Sequence, residues 1–580
     1  MRALKLEDLA LRRGIVFAAF GFAAAVLAWR AFDLQMRNRE FLQEHGDARY
    51  LRVVETEAHR GMITDRNGEP LAISTRVNSV WAKPTELMSN KEDWPRLAKL
   101  LDMNLEQLKE IIEPRKGREF LYLRRQVPPE TAQRLEQAEI PGIGLVSEYR
   151  RYYPTVEVAA HLLGFTNVDD RGQEGVELAF DDTLRGTPGK SRVIKDRLGR
   201  IVEHVDNLRL VQPGRDLALS IDRRVQYVAY RELKRAVQKH GAQAGFIVIL
   251  DVDTGEIVAL VNQPSYNPNN RADLKGSQSR DRAVVDLFEP GSTIKAFTIA
   301  AALESGQYTP TTRVATEPGV FKLGRHIIRD VHNYGALDVS GVIEKSSNVG
   351  AAKIALSMEP ELLWKMFTSV GFGQPTGVGL PGEAGGRLAD YHNWREIEHA
   401  TLAFGYGISV TGLQLTRAYA ALAADGVIKP VSILKTTKAP EGVRVMSAKT
   451  AREVRDMLEL VVTSGTAKAA AVPGYRVAGK TGTVHKLAAD GYAEDDYLSL
   501  FAGYLPASAP KLVALVVIDN PQGGEYYGGL VAAPVFAAVM QDAARILNLT
   551  PDAYPADGDD RVRMAAWGDP QSAKIADTRR

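Results

Sequence analysis

The chain has no cysteine, which removes thiol nucleophiles, disulfides and cysteine metal sites from consideration. Histidine is scarce, at 10 residues in 580, and neither H-E-x-x-H nor a comparable ligand spacing occurs. No metal site and no cofactor are therefore expected. Charge of one sign is not in excess either: 73 basic side chains face 71 acidic ones, and a net charge of +2 gives no ground for a nucleic-acid partner. No internal repeat occurs, and only one apolar run reads as long enough to span a membrane. What remains, with 45% hydrophobic and 25% charged residues, is the composition of a globular protein of several domains.

That one run is Gly14 to Trp29, behind Arg2, Lys5, Arg12 and Arg13. It is short for a bilayer, but Arg13 and Arg30 can snorkel and Phe32 and Leu34 extend it. The basic flank places the N-terminus in the cytoplasm and the rest outside. Ala23–Ala25 imitates a signal-peptide cleavage site but lies inside the run, so an uncleaved single-pass anchor is expected.

The expected organisation is a cytoplasmic tail (1–13), an anchor (14–36), a polar stalk (37–58), a mixed domain (59–212), an α+β domain (213–548) and a disordered tail (549–580). Within the first folded domain, Asp65-Arg66-Asn67-Gly68-Glu69 and Thr187-Pro188-Gly189 read as turns, the former with Asn-Gly supplying positive φ, and Leu105–Ile112 reads as a helix. In the second, Ala218–Ile221 reads as a strand, Arg224–Lys239 as a long helix, and Phe246–Leu250 with Ile257–Val261 as a hairpin. Leu498–Leu505 and Leu512–Ile518 form a second strand pair, followed by a glycine-rich stretch and a helix over Ala532–Leu547.

Three short motifs carry chemistry. In Phe288-Glu289-Pro290-Gly291-Ser292-Thr293-Ile294-Lys295, a Pro-Gly turn precedes a helix that is apolar nearly all round and should be buried. Ser292 and Lys295 are then neighbours one turn apart. A buried lysine favours its neutral amine, and a neutral amine beside a hydroxyl is a general base. S-x-x-K recurs by chance: Ser432 and Lys435 repeat it in an extended stretch after Pro430 and read as structural. The second motif, Ser346-Ser347-Asn348, lies 54 residues beyond Ser292 between helical stretches. It could relay a proton and hold a peptide, or merely cap a helix. S-x-N also occurs at Ser265–Asn267. The third, Val477-Ala478-Gly479-Lys480-Thr481-Gly482-Thr483-Val484, reads as a strand presenting a cation and hydroxyls to a carboxylate.

A decoy overlaps the third motif. Gly474 to Thr481 matches G-x-x-x-x-G-K-[ST] in full, so a P-loop NTPase is the rival of another class. A phosphate loop needs a strand before it and a helix after it. Here Pro473 precedes, and Gly482 would cost a helical first turn about 1 kcal/mol.

S-x-x-K, S-x-N and K-T-G in this order resemble the set shared by β-lactamases and penicillin-binding proteins. Over nearly its whole length the chain resembles class B penicillin-binding proteins. Arg60–Gly68, Arg151-Tyr152-Tyr153-Pro154, His161–Gly164 and Gly175-Val176-Glu177 look like their pedestal domain. Tyr266–Asn270, Phe404-Gly405-Tyr406-Gly407 and Tyr526–Phe536 look like the division-specific subgroup, with an elongation-type or conditional paralogue as the alternative.

The resemblance implies a serine D-Ala-D-Ala transpeptidase that acts on peptidoglycan stem peptides of lipid-linked precursor strands and is a target of β-lactam antibiotics. Ser292 would be the nucleophile, Lys295 its base, Ser346 a proton shuttle, Asn348 a holder of the substrate amide and Lys480 an electrostatic support. Thr481, Gly482 and Thr483 would bind the terminal carboxylate, and the backbone N–H groups of Ser292 and Thr483 would form the oxyanion hole. A polytopic divisome glycosyltransferase at the inner membrane would polymerise the strands. No E-x-x-L-N stretch lies between Ser346 and Lys480 to supply a β-lactamase's deacylating glutamate, so a long-lived acyl-enzyme is expected. Tyr406 and His485 are candidate specificity modulators: Val484 and His485 stand where the family commonly has Ala and then Arg or Lys, and Phe404 replaces a usual Tyr. His485 facing the site would make ligand affinity vary over about pH 5–7.

Overall fold

A computed structural model describes residues 6–37, 51–195, 201–272, 274–488 and 491–553. The chain divides into two compact units, residues 1–59 with 186–214 and residues 60–185 with 215–580.

The first unit contains helix α1 (Leu6–Phe32), whose side chains from Leu11 onward are exposed. Residues Leu11–Met36 are long and apolar enough to cross a membrane, with a mean hydropathy of 1.9 and none of the span buried. The end of the predicted stalk is a strand. Leu51–Thr56 pairs antiparallel with Gly189–Lys195, which pairs in turn with Ile201–Arg209. Alternation is weak in all three, so the sequence did not betray pairing across more than 130 residues (Leu51 to Ile194). Thr187-Pro188-Gly189 is extended rather than a turn: Thr187 bridges Gln212, and the chain reverses at Gly186 (φ +69°).

In the second unit, the long strand Pro70–Ala82 pairs with Ile63–Thr64, Leu121–Val127 and Ile143–Tyr152, and the helix over Leu105–Ile112 forms as expected. The turn before the long strand is held by Asp65, whose Oδ1 accepts from Asn67 N and Glu69 N. The turn joins the antiparallel strands Ile63–Thr64 and Pro70–Ala82, a hairpin-type turn as expected, but of the Asn-Gly pair only Gly68 takes positive φ (+88°) and Asp65 makes it an Asx turn. The residues that suggested a pedestal converge on one buried ion cluster. Glu177 receives Arg60 at 2.7 Å and Arg151 at 2.6 Å, with all three side chains shielded from solvent. Such a cluster holds together because each charge has its partner and none faces water alone.

The rest of this unit is built on a five-stranded antiparallel sheet: β1 (Ala244–Asp251), β2 (Ile257–Gln263), β3 (Ala478–Ala488), β4 (Gly491–Leu505) and β5 (Leu512–Asp519), in the order β2-β1-β5-β4-β3. β1, β2 and β5 are buried almost throughout, as expected of strands covered on both faces. Helices α2 (Arg223–Lys239) and α5 (Gly528–Ile546) pack together on the sheet, and the helix Gly412–Ala423 packs on β1, β4 and β5. Helix α5 passes the length and hydropathy test for a membrane span, at 1.3, which amends the expectation of a single such run; half of it is buried and it belongs to the core. The predicted tail begins too early. Leu549 O accepts from Tyr475 Oη, and the Asp552 carboxylate accepts from Arg476 N and Ser508 N, which docks residues 549–553; residues 554–580 lie outside the described ones.

Candidate active site

The first motif forms a one-turn 3₁₀ segment, Gly291–Ile294, that runs into helix α3 (Lys295–Glu304). Every residue of α3 from Lys295 to Leu303 is buried, as its all-round apolarity requires. Gly291 has φ +53°, and Gly405 (φ +92°) lies so close that a Cβ there would stand 2.1 Å from Gly291 O. The loop 404–407 thus abuts the turn that presents Ser292, which is itself half-buried.

The second motif closes one helix and opens another. Val339–Glu344 ends in a Schellman motif: Ser346 N bonds Ile343 O and Ser347 N bonds Val342 O. Ser346 takes the left-handed position (φ +60°) that glycine prefers, a conformation costing a side-chain-bearing residue about 1–2 kcal/mol. Ser347 then caps helix α4 (Asn348–Leu356) through a 2.8 Å bond from Gly350 N. Helix capping therefore falls to Ser347 and leaves the Ser346 and Asn348 side chains to meet Lys295.

The third motif lies on β3, the outer strand of the sheet. Lys480 sits within the strand, fully buried, with strand and no helix after it, which excludes the phosphate-loop reading. The other S-x-x-K also dissolves: Ser432 Oγ donates to Leu434 O, whereas Lys435 Nζ donates to Arg66 O. Ser265 donates to Glu157 O, and Asn267 Oδ1 accepts from Asn269 N, both structural roles.

The three motifs meet in one network. Lys295 Nζ lies 3.1 Å from Ser292 Oγ, 2.7 Å from Asn348 Oδ1, 2.6 Å from Ser346 O and 3.3 Å from Ser346 Oγ. Lys480 Nζ donates to the same Ser346 Oγ at 2.9 Å. Burial, and after it the charge of Lys480, push the Lys295 amine well below the ordinary lysine range, while burial lowers Lys480 to about 7. A chain Ser292–Lys295–Ser346–Lys480 can draw a proton from one hydroxyl and deliver it to another group within a few ångströms.

Thr481 Oγ1 lies 2.8 Å from Thr466 Oγ1, and Thr483 Oγ1 accepts from Gly528 N at 3.0 Å, so both β3 hydroxyls are oriented from behind. His485 is half-buried: its Nδ1 lies 2.9 Å from Ala493 O and its ring packs on Tyr497, 4.5 Å away, which stacks on Tyr526. Tyr406 meets Tyr492 edge to face at 5.5 Å.

Two residues escaped the sequence reading. One is Thr466. The other is Asp330, whose Oδ2 accepts from Ser347 Oγ at 2.6 Å and whose Oδ1 accepts from Asn348 N at 2.5 Å and Val349 N at 3.0 Å. Its carboxylate sits on the positive end of α4 and fixes Ser346-Ser347-Asn348 in place. The one signal in the sequence was an aspartate at the end of a short hairpin, Val320–Leu323 with His326–Arg329, and nothing there pointed forward to residue 348.

Residues 245–541 match the penicillin binding protein transpeptidase domain, and residues 55–219 match the penicillin-binding protein dimerisation domain. The peptidoglycan D,D-transpeptidase FtsI of Escherichia coli (strain K12) is 43% identical over 550 residues, covering 94% of this chain and 92% of that one. The chain belongs to the class B penicillin-binding proteins. Among solved structures, the transpeptidase domain of Burkholderia pseudomallei penicillin-binding protein 3 is 47% identical, with a TM-score of 0.54, covering 58% of this chain and 98% of that one. Mycobacterium tuberculosis penicillin-binding protein 3, solved with aztreonam, is 28% identical with a TM-score of 0.67, covering 86% and 98%. In this penicillin-binding protein, then, the domain matched from residue 245 onward is the one that carries all three motifs.

Proposed function

We propose that the protein is a septal peptidoglycan D,D-transpeptidase whose acyl-enzyme forms on Ser292. The observation that carries this reading is the unbroken contact chain from Ser292 Oγ through Lys295 Nζ and Ser346 Oγ to Lys480 Nζ. Ser292 Oγ attacks the carbonyl carbon of the penultimate D-Ala of a stem peptide, and its proton passes to the Lys295 amine. The N–H groups of Ser292 and Thr483 hold the oxyanion. Ser346 hands a proton to the departing D-Ala nitrogen, with Lys480 steadying the relay. The amine of a second stem then attacks the ester and frees Ser292. Asn348 holds the donor's amide, while Thr481 and Thr483 take its terminal carboxylate.

The anchor helix and the basic residues before it support a catalytic domain on the outer face of the inner membrane. The division-type motifs at 266–270, 404–407 and 526–536 support a septal site, with strand polymerisation by a polytopic divisome glycosyltransferase. A labelled penicillin is expected to modify Ser292 and to remain attached for many minutes; rapid release of hydrolysed drug would replace this reading with a β-lactamase.

The two lysines also set a pH profile. Above about pH 7 Lys480 loses its proton, and with it the charge that attracts the donor's carboxylate, so kcat/KM for a peptide donor should fall on the alkaline side. In acid it should fall again as Lys295 gains a proton and ceases to be a base. Lys480→Arg keeps a permanent charge, so the alkaline limb should flatten. Persistence of that limb in the arginine variant would assign it to another group.

A further inference from the structure

The donor has its place along β3, and the second stem needs a place of its own. Its amine attacks the acyl carbon from the position that the D-Ala nitrogen vacated, because the transfer step retraces the path of the acylation step. That position lies by Ser346. The acceptor therefore approaches over the side of the cleft formed by Ser346-Ser347-Asn348 and the element that adjoins it.

That element is the hairpin Val320–Leu323 with His326–Arg329. Arg329 O accepts from Asn348 Nδ2 at 3.1 Å, and Asp330, next in the chain, turns its carboxylate onto the start of α4. The hairpin has two unlike faces, as the alternation of strands requires. Phe321 and the opposite Ile328 look inward: Ile328 is buried, and the Lys353 ammonium of α4 lies 5.4 Å from the centre of the Phe321 ring. Val320 and Lys322 look the other way, opposite Arg329 and Ile327, and all four are exposed. Among the described residues, neither the Lys322 ammonium nor the Arg329 guanidinium has an ion-pair partner. Two unpaired cations and two apolar side chains on one open face are chemistry that fits a short peptide carrying a carboxylate.

Resting on the transpeptidase reading above, we propose that this face, Lys322 and Arg329 with Val320 and Ile327, docks the acceptor stem and takes its terminal carboxylate. The acceptor belongs to the same polymer as the donor and ends in the same anionic group. Arg329 stands at the end of the face next to Asn348, and the Lys322–Ile327 pair lies two residues, about 7 Å, farther along the strands. An acceptor with its amine at Ser346 thus reaches both cations within a residue or two of chain. In the transfer, the acceptor nitrogen bonds the acyl carbon as the Ser292 ester bond breaks. The proton that the amine gives up returns to Ser292 Oγ through Ser346 and Lys295.

The test uses the full-length protein in detergent, a saturating donor that ends in D-Ala-D-Ala and has its amines acylated, and two acceptors. One acceptor is a short peptide with a single free amine and a terminal carboxylate; the other is the same peptide as its C-terminal amide. Formation of the joined peptide is the readout. The wild type should favour the acid by about five-fold in the acceptor's kcat/KM, the scale of exposed charge pairs. Added salt should shrink that preference, since the face is open to solvent. Lys322→Gln combined with Arg329→Gln should bring the ratio near one by raising KM for the acid, and Lys322→Arg should keep the preference. Both side chains are exposed, so the variants should fold. A wild type that treats the two acceptors alike, a preference that salt leaves intact, or a ratio unchanged in the double variant overturns the docking surface. Labelling of wild-type Ser292 by penicillin, followed in parallel, separates the two readings: no labelling at all refutes the transpeptidase, whereas normal labelling with no acceptor preference refutes the docking surface alone.

Discussion

Replacing Lys295 with alanine is expected to slow acylation of Ser292 by roughly 10³–10⁴-fold, toward the upper end of what a positioned base contributes. The expectation is large because Lys295 touches three members of the site at once: the Ser292 hydroxyl, the Ser346 hydroxyl and carbonyl, and the Asn348 amide oxygen. Without it Ser292 loses its base and Asn348 loses the donor that orients it. Arginine should not rescue the loss, since its guanidinium stays protonated and cannot accept the serine proton. The fold should survive, because the alanine, although it vacates one of the larger fully buried side chains, also removes an amine that burial disfavours in its charged form. Stopped-flow acylation by a fluorescent penicillin, alongside a melting curve, checks both halves. Wild-type acylation by a well-folded Lys295→Ala protein would remove lysine from the mechanism.

Asp330→Ala should produce the second-largest effect, and it should register in stability as well as in rate. The carboxylate takes three hydrogen bonds at the start of α4, so its removal leaves Asn348 N–H, Val349 N–H and the Ser347 hydroxyl without their acceptor. Bonds to a charged acceptor contribute about 1.5–3 kcal/mol each before relaxation, and a net loss of about 3 kcal/mol is expected once water and the helix end adjust. Ser346, already in a costly backbone conformation, would lose the anchor beside it, and a displacement of about 1 Å can lower rates on the order of 10²-fold. Asp330→Asn keeps the shape and one good acceptor and should fall between. An alanine variant with wild-type melting and acylation would show that the Schellman turn alone holds the motif.

These two residues mark how far the sequence could be read. Lys295 was legible because a helix brings the third residue onward to the same face, and its burial followed from an apolar surface on all sides. Asp330 was not: it meets Asn348 across 18 residues that include a short strand, Ala336–Asp338, and the helix Val339–Glu344, a contact made by tertiary packing rather than by periodicity. Ser346 falls between the two cases. S-x-N was visible, but the division of labour between Ser346 and Ser347 appears only once the helix end is seen to place the first at positive φ and the second at a cap. In the pedestal, the residues that suggested the family, Arg60, Arg151 and Glu177, are the ones that meet as buried charges, although their separation gave no hint of the contact. The strand at Leu51–Thr56 and the docking of residues 549–553 were missed for a common reason: both depend on partners far along the chain.

Because β3 is the outermost strand of its sheet, a peptide that adds to its open edge is held in part by main-chain atoms, which are the same whatever amino acid occupies each position. Those main-chain contacts cannot bar a peptide mimic from this groove without barring the natural peptide as well. Variants that tolerate such drugs should change residues that support the strand and the serine turn from behind, and their tolerance should come with slower wall synthesis.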